Sequence, residues 1–368
     1  MKELVRPTSD RPYWLAWHQI KGIGPHRLKR LFQEFGSLER AWLADGAALM
    51  TVEGIGLQLS ITIQEERQQL DPDQILGQVM RPGIPFLTPA DADYPDLLWE
   101  LPDPPPIIYV WGETPRWQPS VAIVGTRSPT PYGRRWTEKI ASVLGEAGFV
   151  VVSGLAAGID GIAHQACLQA GGTTLAVVGT GVDVVYPAQH RQLYQQIQKQ
   201  GAILSEFPPG TQPAKENFPR RNRIIAGLCQ TTLVMEAPAK SGALITAYLA
   251  NDYGRDVMVL PGNIDVPEAR GCLNLIQTGA SMILGIEELL HQLGSPLQVS
   301  SPTTMPSFSP HQAMIWQALT RDPIPLDTLA QTTQLDISTL ASELLMMELE
   351  GWIEQLAGMR YQRAAGYR

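Results

Sequence analysis

The sequence is poor in cysteine and has no long apolar run. Its three cysteines, Cys167, Cys229 and Cys272, lie far apart in the 368 residues and form no CxxC pair, which argues against a zinc knuckle and a disulfide framework. Nothing approaches the ~20 uninterrupted apolar residues that a membrane span needs, and the sequence shows no signal peptide. We therefore expect a cytoplasmic protein with no membrane span, metal or other cofactor.

The sequence also lacks an excess of positive charge. Its formal net charge is −8, which by itself counts against a nucleic-acid partner. The charge is unevenly distributed, however. Residues 121–223 carry ten basic and six acidic side chains, a net +4, which leaves −12 for the rest of the chain. The protein is acidic around a locally basic middle.

The remaining composition is that of a globular chain. Hydrophobic residues make up 44% of the sequence, and its length predicts about two or three domains. The 33 glycines and 30 prolines are spread through turns and linkers, without the periodic repetition of a fibrous protein.

Residues 1–75 are predicted to form small helices around two GxG turns, in the sequences KGIG and VEGIG. A helix follows each turn, as in a helix-hairpin-helix domain, where the helix N-terminus can bind a phosphate. Four basic side chains follow the first turn: His26, Arg27, Lys29 and Arg30. The second copy carries almost no charge, so a structural or partner-binding role is favoured over DNA contact.

Residues 76–120 are rich in proline and tryptophan and include the run LPDPPPIIYVWGE. Proline cannot lie inside a central strand or helix. This segment is therefore predicted to be an extended connector that leads into the next domain, with a short strand at 107–110.

Residues 121–293 alternate short β-branched runs with helical segments. Seven strands are predicted, at 121–124, 149–152, 174–178, 202–205, 232–235, 257–260 and 281–284. Such alternation indicates an α/β fold with a largely parallel sheet covered on both faces. The expected architecture is an extended Rossmann-like, doubly wound domain, whose ligands bind at the C-terminal ends of the strands.

Residues 294–310 form a Ser-, Pro- and Thr-rich tract that is predicted to be a flexible linker. Residues 311–368 follow with three helices and a terminal hairpin, the pattern of a winged helix. This module has four arginines and seven acidic residues, and three glutamates lie at 337–350, in its second helix-turn-helix helix. An acidic helix is unsuited to a DNA groove, so a protein-binding or regulatory role is favoured.

The loops after the core strands carry the candidate binding residues. The first strand leads into VGTRS, which places Gly125, Thr126, Arg127 and Ser128 where a Rossmann-like fold holds an anion. It lacks GxGxxG, so a dinucleotide site is not expected. After the fifth strand, the sequence AKSGA can offer a phosphate one cationic side chain and the N–H groups of a helix start. These residues are Lys240, Ser241 and Gly242.

The stretch NFPRRNRIIAGL, residues 217–228, lies between the fourth and fifth strands. It places Arg220, Arg221 and Arg223 around Asn222, and arginine clusters suit phosphate because the guanidinium offers a planar fork of donors. The alternative is a solvated basic loop. Phe218 belongs to this stretch and Lys215 precedes it, so the rim combines positive charge with a ring for base stacking, worth ~1–3 kcal/mol per base. The predicted ligand is single-stranded nucleic acid.

No catalytic residues are predicted. Asp160 and His164 are four residues apart and share a helix face, but without a neighbouring nucleophile a buried packing pair is favoured over a proton shuttle. The sequence has no Walker lysine motif, and no Ser-His-Asp arrangement can be placed.

Six motifs in order across about residues 121–290 resemble the DNA-processing protein A (DprA, also called Smf) family. They are VAIVGTRSPTPYG, VVSGLAAGIDGIAH, LSEFPPG, NFPRRNRIIAGL, VMEAPAKSGALITA and RGCLNLIQTGA. The resemblance implies a Rossmann-like core that binds single-stranded DNA, protects it and loads the RecA recombinase during natural transformation. It also implies a homodimer formed through the core, with no established catalytic activity.

Carried over by motif, the family's DNA-contacting residues fall on Arg127, Lys215, the FPxRNR segment at 218–223 and the small turn at 241–242. The chain departs from the family at Ala157, where many members have a basic or polar residue, and at 273–274.

Two other functions compete with this one. A phosphoribohydrolase-like, nucleotide-processing enzyme on a related fold would need PGGxGTxxE, and this chain has EAPAKSGALITA without the catalytic glutamate. A transcription regulator would use the winged helix on duplex DNA, which its acidic helix disfavours.

Overall fold

The computed structural model describes residues 10–113, 117–294, 308–320, 323–350, 352–356 and 358–363. The chain divides into two units, Met1–Gly294 and Ser295–Arg368. The predicted linker, residues 294–310, lies almost entirely outside the described residues.

The N-terminal region consists of six short helices. They are α1 (Arg11–Gln19), α2 (Pro25–Phe35), α3 (Leu38–Leu43), α4 (Gly46–Leu49), α5 (Leu57–Arg67) and α6 (Pro72–Met80). Gly22 and Gly54 open the two predicted hairpins, both with φ of +86°, a conformation that glycine adopts without a steric penalty. The extended residues Gly24 and Gly56 then cap α2 and α5. The two GxG turns therefore have the same geometry.

The basic side chains of the first hairpin are largely bound within the protein. Arg27 donates through Nε to Gly54 O at 2.9 Å and through Nη1 to Gly22 O at 2.8 Å, so it joins the two hairpins. Arg30 pairs with Glu53 at 3.2 Å. These contacts support the structural role that the sequence favours for this domain.

A nine-stranded sheet forms the centre of the first unit. Its strands are β1 (Phe86–Leu87), β2 (Ile108–Gly112), β3 (Ser120–Val124), β4 (Val150–Ser153), β5 (Thr174–Val177), β6 (Ala202–Ser205), β7 (Thr231–Val234), β8 (Asp256–Val259) and β9 (Ser281–Met282). They lie in the order β1-β2-β6-β5-β4-β3-β7-β8-β9. Strands β3 to β9 are mutually parallel, whereas β2 and β1 are antiparallel additions at one edge. The predicted largely parallel sheet is confirmed.

The predicted connector is partly sheet. Its two strands, β1 and β2, pair with each other, and β2 also pairs with β6. The prolines of the LPDPPP run precede β2, whose first residues, Ile108, Tyr109 and Val110, are buried. The segment therefore extends the core, and only a short helix, α7 (Asp96–Glu100), separates its strands.

Helices cover both faces of the sheet. They are α8 (Pro131–Glu146), α9 (Ile159–Gln169), α10 (Arg191–Gln200), α11 (Asn217–Leu228), α12 (Gly242–Asp252), α13 (Arg270–Gln277) and α14 (Ile286–Gln292). One apolar cluster joins α8, α9 and α14 to the sheet, and another joins α7, α11, α12 and α13. A third contains Leu15 and Ile75 from the N-terminal helices together with Leu193 and Ile197 of α10. The N-terminal region therefore shares a core with the sheet.

The strand order creates a switch point beside β3. The chain runs from β3 through β4 and β5 to β6 in one direction, and then returns to place β7 on the other side of β3. The loops after β3 and β7 consequently lead to helices on opposite faces, which opens a crevice at the C-terminal ends of these two strands.

The second unit is a winged helix. It contains α15 (Pro310–Ala318), β10 (Ile324–Pro325), α16 (Leu326–Thr333), α17 (Ile337–Leu349), β11 (Ile353–Leu356) and β12 (Arg360–Arg363). The three strands pair in the order β10-β12-β11. The sequence of α17, ISTLASELLMMEL, has no basic residue, and it exposes Ile337, Leu345 and Met346. Such a helix face is unsuited to DNA phosphates.

No helix among the described residues combines the length and the apolar character needed to cross a membrane.

Lys29 links the helical region to the connector. Its Nζ donates to the carbonyl oxygens of Trp99, Glu100 and Leu101 at 2.8, 3.2 and 2.6 Å. Because hydrogen bonds to charged groups contribute about 1.5–3 kcal/mol, we expect Lys29→Met to lower the unfolding free energy by about that amount in urea denaturation. The exposed Lys21 provides the control, and Lys21→Met should change stability by less than ~0.5 kcal/mol. Equal effects of the two substitutions would contradict the proposed link.

Candidate nucleic-acid interface

A cleft of about 340 Å³ lies at the switch point. The loops after β3 and β7 and the first turns of α11 form its walls. Eight of the residues predicted from the sequence line it: Gly125, Thr126, Arg127, Phe218, Arg221, Asn222, Ser241 and Gly242. The structure therefore brings together residues that are more than 100 positions apart in the chain.

The loop after β3 is held against two neighbouring elements. Thr126 N donates to Glu236 O at 2.7 Å, and Thr126 O accepts from Ile159 N at 3.1 Å. Gly158 has φ of +82°, and a Cβ there would lie 2.4 Å from Thr126 O, so this close approach requires glycine. The loop is fixed, while the Arg127 side chain remains exposed at the cleft.

Arg221 forms part of the cleft floor. Its Nη1 donates to Gly154 O at 2.5 Å and also to Val177 O, which ties α11 to the ends of β4 and β5. Burial lowers the pKa of its guanidinium to about 10, against the opposing effect of Asp160, so Arg221 stays charged at neutral pH. Burial likewise raises the pKa of Asp160, while Arg221 acts against that shift. The opposite charges of Arg221 and Asp160 therefore offset each other beneath the cleft.

The opposite wall is the start of α12. Ser241 caps this helix by accepting from Ala243 N at 3.3 Å, and Asn222 contacts it through a long hydrogen bond from Nδ2 to Gly242 O, at 3.4 Å. A helix N-terminus carries a partial positive charge and favours anions. Arg127, Arg221 and the start of α12 therefore all place positive charge at the cleft, which favours a phosphate.

Phe218 lies where the large cleft meets a smaller one of about 100 Å³. Its ring packs beside that of Tyr186, with centroids 5.6 Å apart and planes 31° from parallel. Tyr186 also lines the smaller cleft and is 40% exposed. Tyr186 follows the third predicted strand, at 174–178, and is not among the residues predicted to bind the ligand. Tyr186 has no charged residue directly beside it in the sequence. Nothing in the sequence therefore indicated that it lies close to Phe218.

The other predicted cations surround the clefts. Lys215 and Lys240 are exposed, as is Ser128, and none of the three is among the lining residues of either cleft. Arg220, which the sequence analysis grouped with Arg221 and Arg223, is exposed with its guanidinium 5.4 Å from the Phe207 ring centroid. These side chains could therefore contact only the parts of a ligand that lie outside the two clefts.

Arg223 does not reach the cleft, and this corrects its predicted role as a phosphate-binding residue. Its guanidinium is buried against Glu206 and also contacts Asp103, whose carbonyl accepts from Nη1 at 2.5 Å. Burial opposes the charge, but Glu206 and Asp103 outweigh it and hold the pKa of Arg223 above its ordinary value. The residue anchors α11 to the connector.

Asp160 and His164 are both buried and make separate structural hydrogen bonds. Asp160 Oδ2 accepts from Gly154 N at 3.1 Å and more weakly from Ala156 N at 3.4 Å. His164 Nδ1 lies 2.7 Å from the hydroxyl of Thr174, which donates its own proton to Val151 O, so Nδ1 must be the donor. Burial lowers the pKa of His164 to about 3. The two side chains therefore serve different elements and form no proton relay.

The cleft offers little for catalysis. Among the described residues that line it, Asp160 is the single carboxylate. It accepts hydrogen bonds from the backbone amides of Gly154 and Ala156 and interacts electrostatically with Arg221. Glu236, which follows β7, accepts from Thr130 N at 2.8 Å and from its hydroxyl at 2.5 Å. These two carboxylates thus have structural partners.

Comparison with known families fits this arrangement. The model of the family described as DNA recombination-mediator protein A matches residues 85–294, and that of the DprA winged helix domain matches residues 299–359. The chain belongs to the DprA family. This confirms the resemblance seen in its motifs. DprA proteins named for DNA processing occur in Bacillus subtilis and Streptococcus pneumoniae.

Individual DprA relatives match over most of their length. Protein Smf of Synechocystis is 47% identical, over 97% of this chain and 99% of that protein. The crystal structure of DprA from Streptococcus pneumoniae has a TM-score of 0.67 at 35% identity and covers 76% of this chain and 97% of its own. A Helicobacter pylori DprA structure, described for its single-stranded DNA binding mode, has a TM-score of 0.53 at 33% identity and covers 57% and 96%.

The correction at Arg223 can be tested through stability. Removing one partner of a buried ion pair typically costs about 3–5 kcal/mol, so Arg223→Met should lower the unfolding free energy by that amount in chemical denaturation. Arg127→Met, at an exposed position, should change it by less than ~0.5 kcal/mol.

The double variant Arg223→Met/Glu206→Leu sharpens this test, because it removes both buried charges and should regain part of the lost stability. If Arg223→Met is as stable as the wild type, the anchoring role is wrong.

Proposed function

We propose that this protein binds single-stranded DNA in the switch-point cleft, protects it and loads the RecA recombinase onto it during natural transformation. The observation that carries the proposal is the convergence of Arg127, Arg221 and the start of α12 beside the ring of Phe218. Charge for a backbone phosphate and a face for a base are the two elements of single-strand recognition.

The preference for a single strand follows from the position of Phe218. Its ring lies within the cleft, where it is half-buried, and bases that are paired in a duplex cannot stack on it without leaving the helix. The exposed Lys215 and Lys240 would add contacts to the backbone on either side. Such contacts release counterions and make affinity depend on salt.

The remaining parts of the proposal rest on the family. The relative from Helicobacter pylori is described by its binding of single-stranded DNA, and the family description names a recombination mediator. From these we infer a RecA partner, a homodimer formed through the Rossmann-like core, action in the cytoplasm and a binding function in place of catalysis.

The proposal predicts that Arg127→Ala weakens binding of an oligonucleotide by about tenfold, as expected for loss of a charge-assisted contact. The slope of log affinity against log salt should fall by about 0.7 because one phosphate contact is lost. Fluorescence anisotropy of the full chain with single-stranded and duplex DNA, across a salt series, measures both effects.

Lys199→Ala is the matched control for this measurement. Lys199 is exposed and precedes β6, so it lies at the opposite, N-terminal edge of the parallel strands. Lys199→Ala should bind single-stranded DNA like the wild type. Equal affinity of Arg127→Ala and wild type, or tighter binding of duplex than of single strand, would refute the proposed site.

A further inference from the structure

We propose that Tyr186 is a second base-stacking residue, and that it forms with Phe218 an aromatic wall for two consecutive bases, one of which enters the small cleft. The inference rests on the proposed function, because it adds a residue and a subsite to the same DNA interface. It starts from the two ring planes, which lie 31° from parallel with centroids 5.6 Å apart.

Tyr186 is presented by a fixed loop. Between β5 and α10, Thr180 Oγ1 donates to Val184 O at 3.0 Å, and Asp183 Oδ1 accepts from Gly210 N at 2.7 Å. Tyr194 adds a hydrogen bond from its hydroxyl to Val182 O. A ring that is held in place before the ligand arrives loses little conformational entropy on binding. The exposed face of Tyr186 is thus preorganised for stacking.

The small cleft has walls that suit a flat ring. Its lining includes the backbone of Gly154 and Gly179 and the small side chains of Ala156 and Ala157. A Cβ at Gly179 would come within 3.0 Å of the Phe218 ring, and one at Gly154 within 2.5 Å of the Arg221 guanidinium. Glycine at both positions therefore leaves the two binding side chains in place and keeps the wall flat.

The backbone of this wall is also strained. Leu155, which lines the small cleft, is a fully buried non-glycine residue with φ of +56°. Non-glycine residues in the left-handed region are energetically costly and cluster at functional sites. His190 supports the conformation by donating from Nδ1 to Leu155 O at 3.0 Å. The strained turn directs Gly154 O toward Arg221 and so shapes both clefts.

The two clefts share Arg127, Ala156, Phe218 and Arg221. A phosphate held at this shared edge would have one neighbouring base on the Phe218 side and the next on the Tyr186 side. The charges and rings therefore alternate as a single strand requires, with one phosphate between two bases. A duplex cannot supply this arrangement because its bases face each other.

The test compares an oligothymidylate with the same oligonucleotide carrying abasic sites at its centre, using the full chain and fluorescence anisotropy. Tyr186→Leu should weaken binding of the intact strand by about tenfold, the loss expected for one stacked base. It should have little further effect on the abasic strand, which has no base to stack. Tyr186→Phe keeps the ring and should restore binding close to that of the wild type.

Two further variants separate stacking from damage to the fold. Ala157→Leu leaves both rings unchanged but fills the small cleft, so it should weaken binding of the intact strand more than of the abasic strand. Tyr132→Leu is the matched control: Tyr132 is 37% exposed, against 40% for Tyr186, and its hydroxyl donates to Pro261 O outside both clefts. It should bind both strands like the wild type.

The outcomes distinguish this inference from the proposed function. If Arg127→Ala weakens binding while Tyr186→Leu and Ala157→Leu do not, the DNA site stands and the second stacking residue is wrong. If Tyr186→Leu weakens binding of intact and abasic strands by the same factor, Tyr186 acts through structure and the inference also fails. If the wild type binds no single-stranded DNA, the proposed function itself fails.

Discussion

The switch-point cleft depends on one buried guanidinium. Arg221, on α11, binds the carbonyl oxygens that end β4 and β5 and interacts electrostatically with Asp160. Its side chain therefore links three elements that meet at the rim. A buried charge is tolerated only when it is paired and hydrogen-bonded. The glycine at position 154 is part of the same constraint, because a Cβ there would collide with the guanidinium. This contact helps to position Phe218, on the same helix, relative to the ends of β4 and β5.

The arginines of α11 show how a helix divides similar residues among different tasks. Successive side chains differ by about 100° around a helix, so Arg220, Arg221 and Arg223 must face three directions. Arg220 is exposed beside Phe207, Arg221 lies under the cleft, and Arg223 is buried in an ion pair. Arg221 and Arg223 thus both fix the position of the helix, and Arg221 in addition places its charge under the cleft.

Much of the fold could be predicted from sequence because β-branched runs and apolar periodicity are local signals. All seven predicted core strands occur within about two residues of their predicted bounds. The site was harder to predict. The motifs at Arg127 and Ser241 follow strands directly, so topology alone brings them together. The role of Arg223 depends on α11 being a helix and on Asp103, which is 120 positions away. Tyr186 meets Phe218 only through the tertiary fold.

An acidic protein can bind DNA where exposed basic side chains are concentrated. In the N-terminal region, Arg27 and Arg30 are bound to neighbouring carbonyl and carboxylate groups, and in the winged helix α17 offers no basic side chain. Arg127 and Lys240 are exposed beside the clefts, where few acidic side chains compete. Acidic side chains repel a polyanion over roughly a Debye length, about 8 Å at physiological salt. The surplus acidic residues therefore disfavour DNA binding at other surfaces. The net charge of −8 is therefore consistent with selective binding at the cleft.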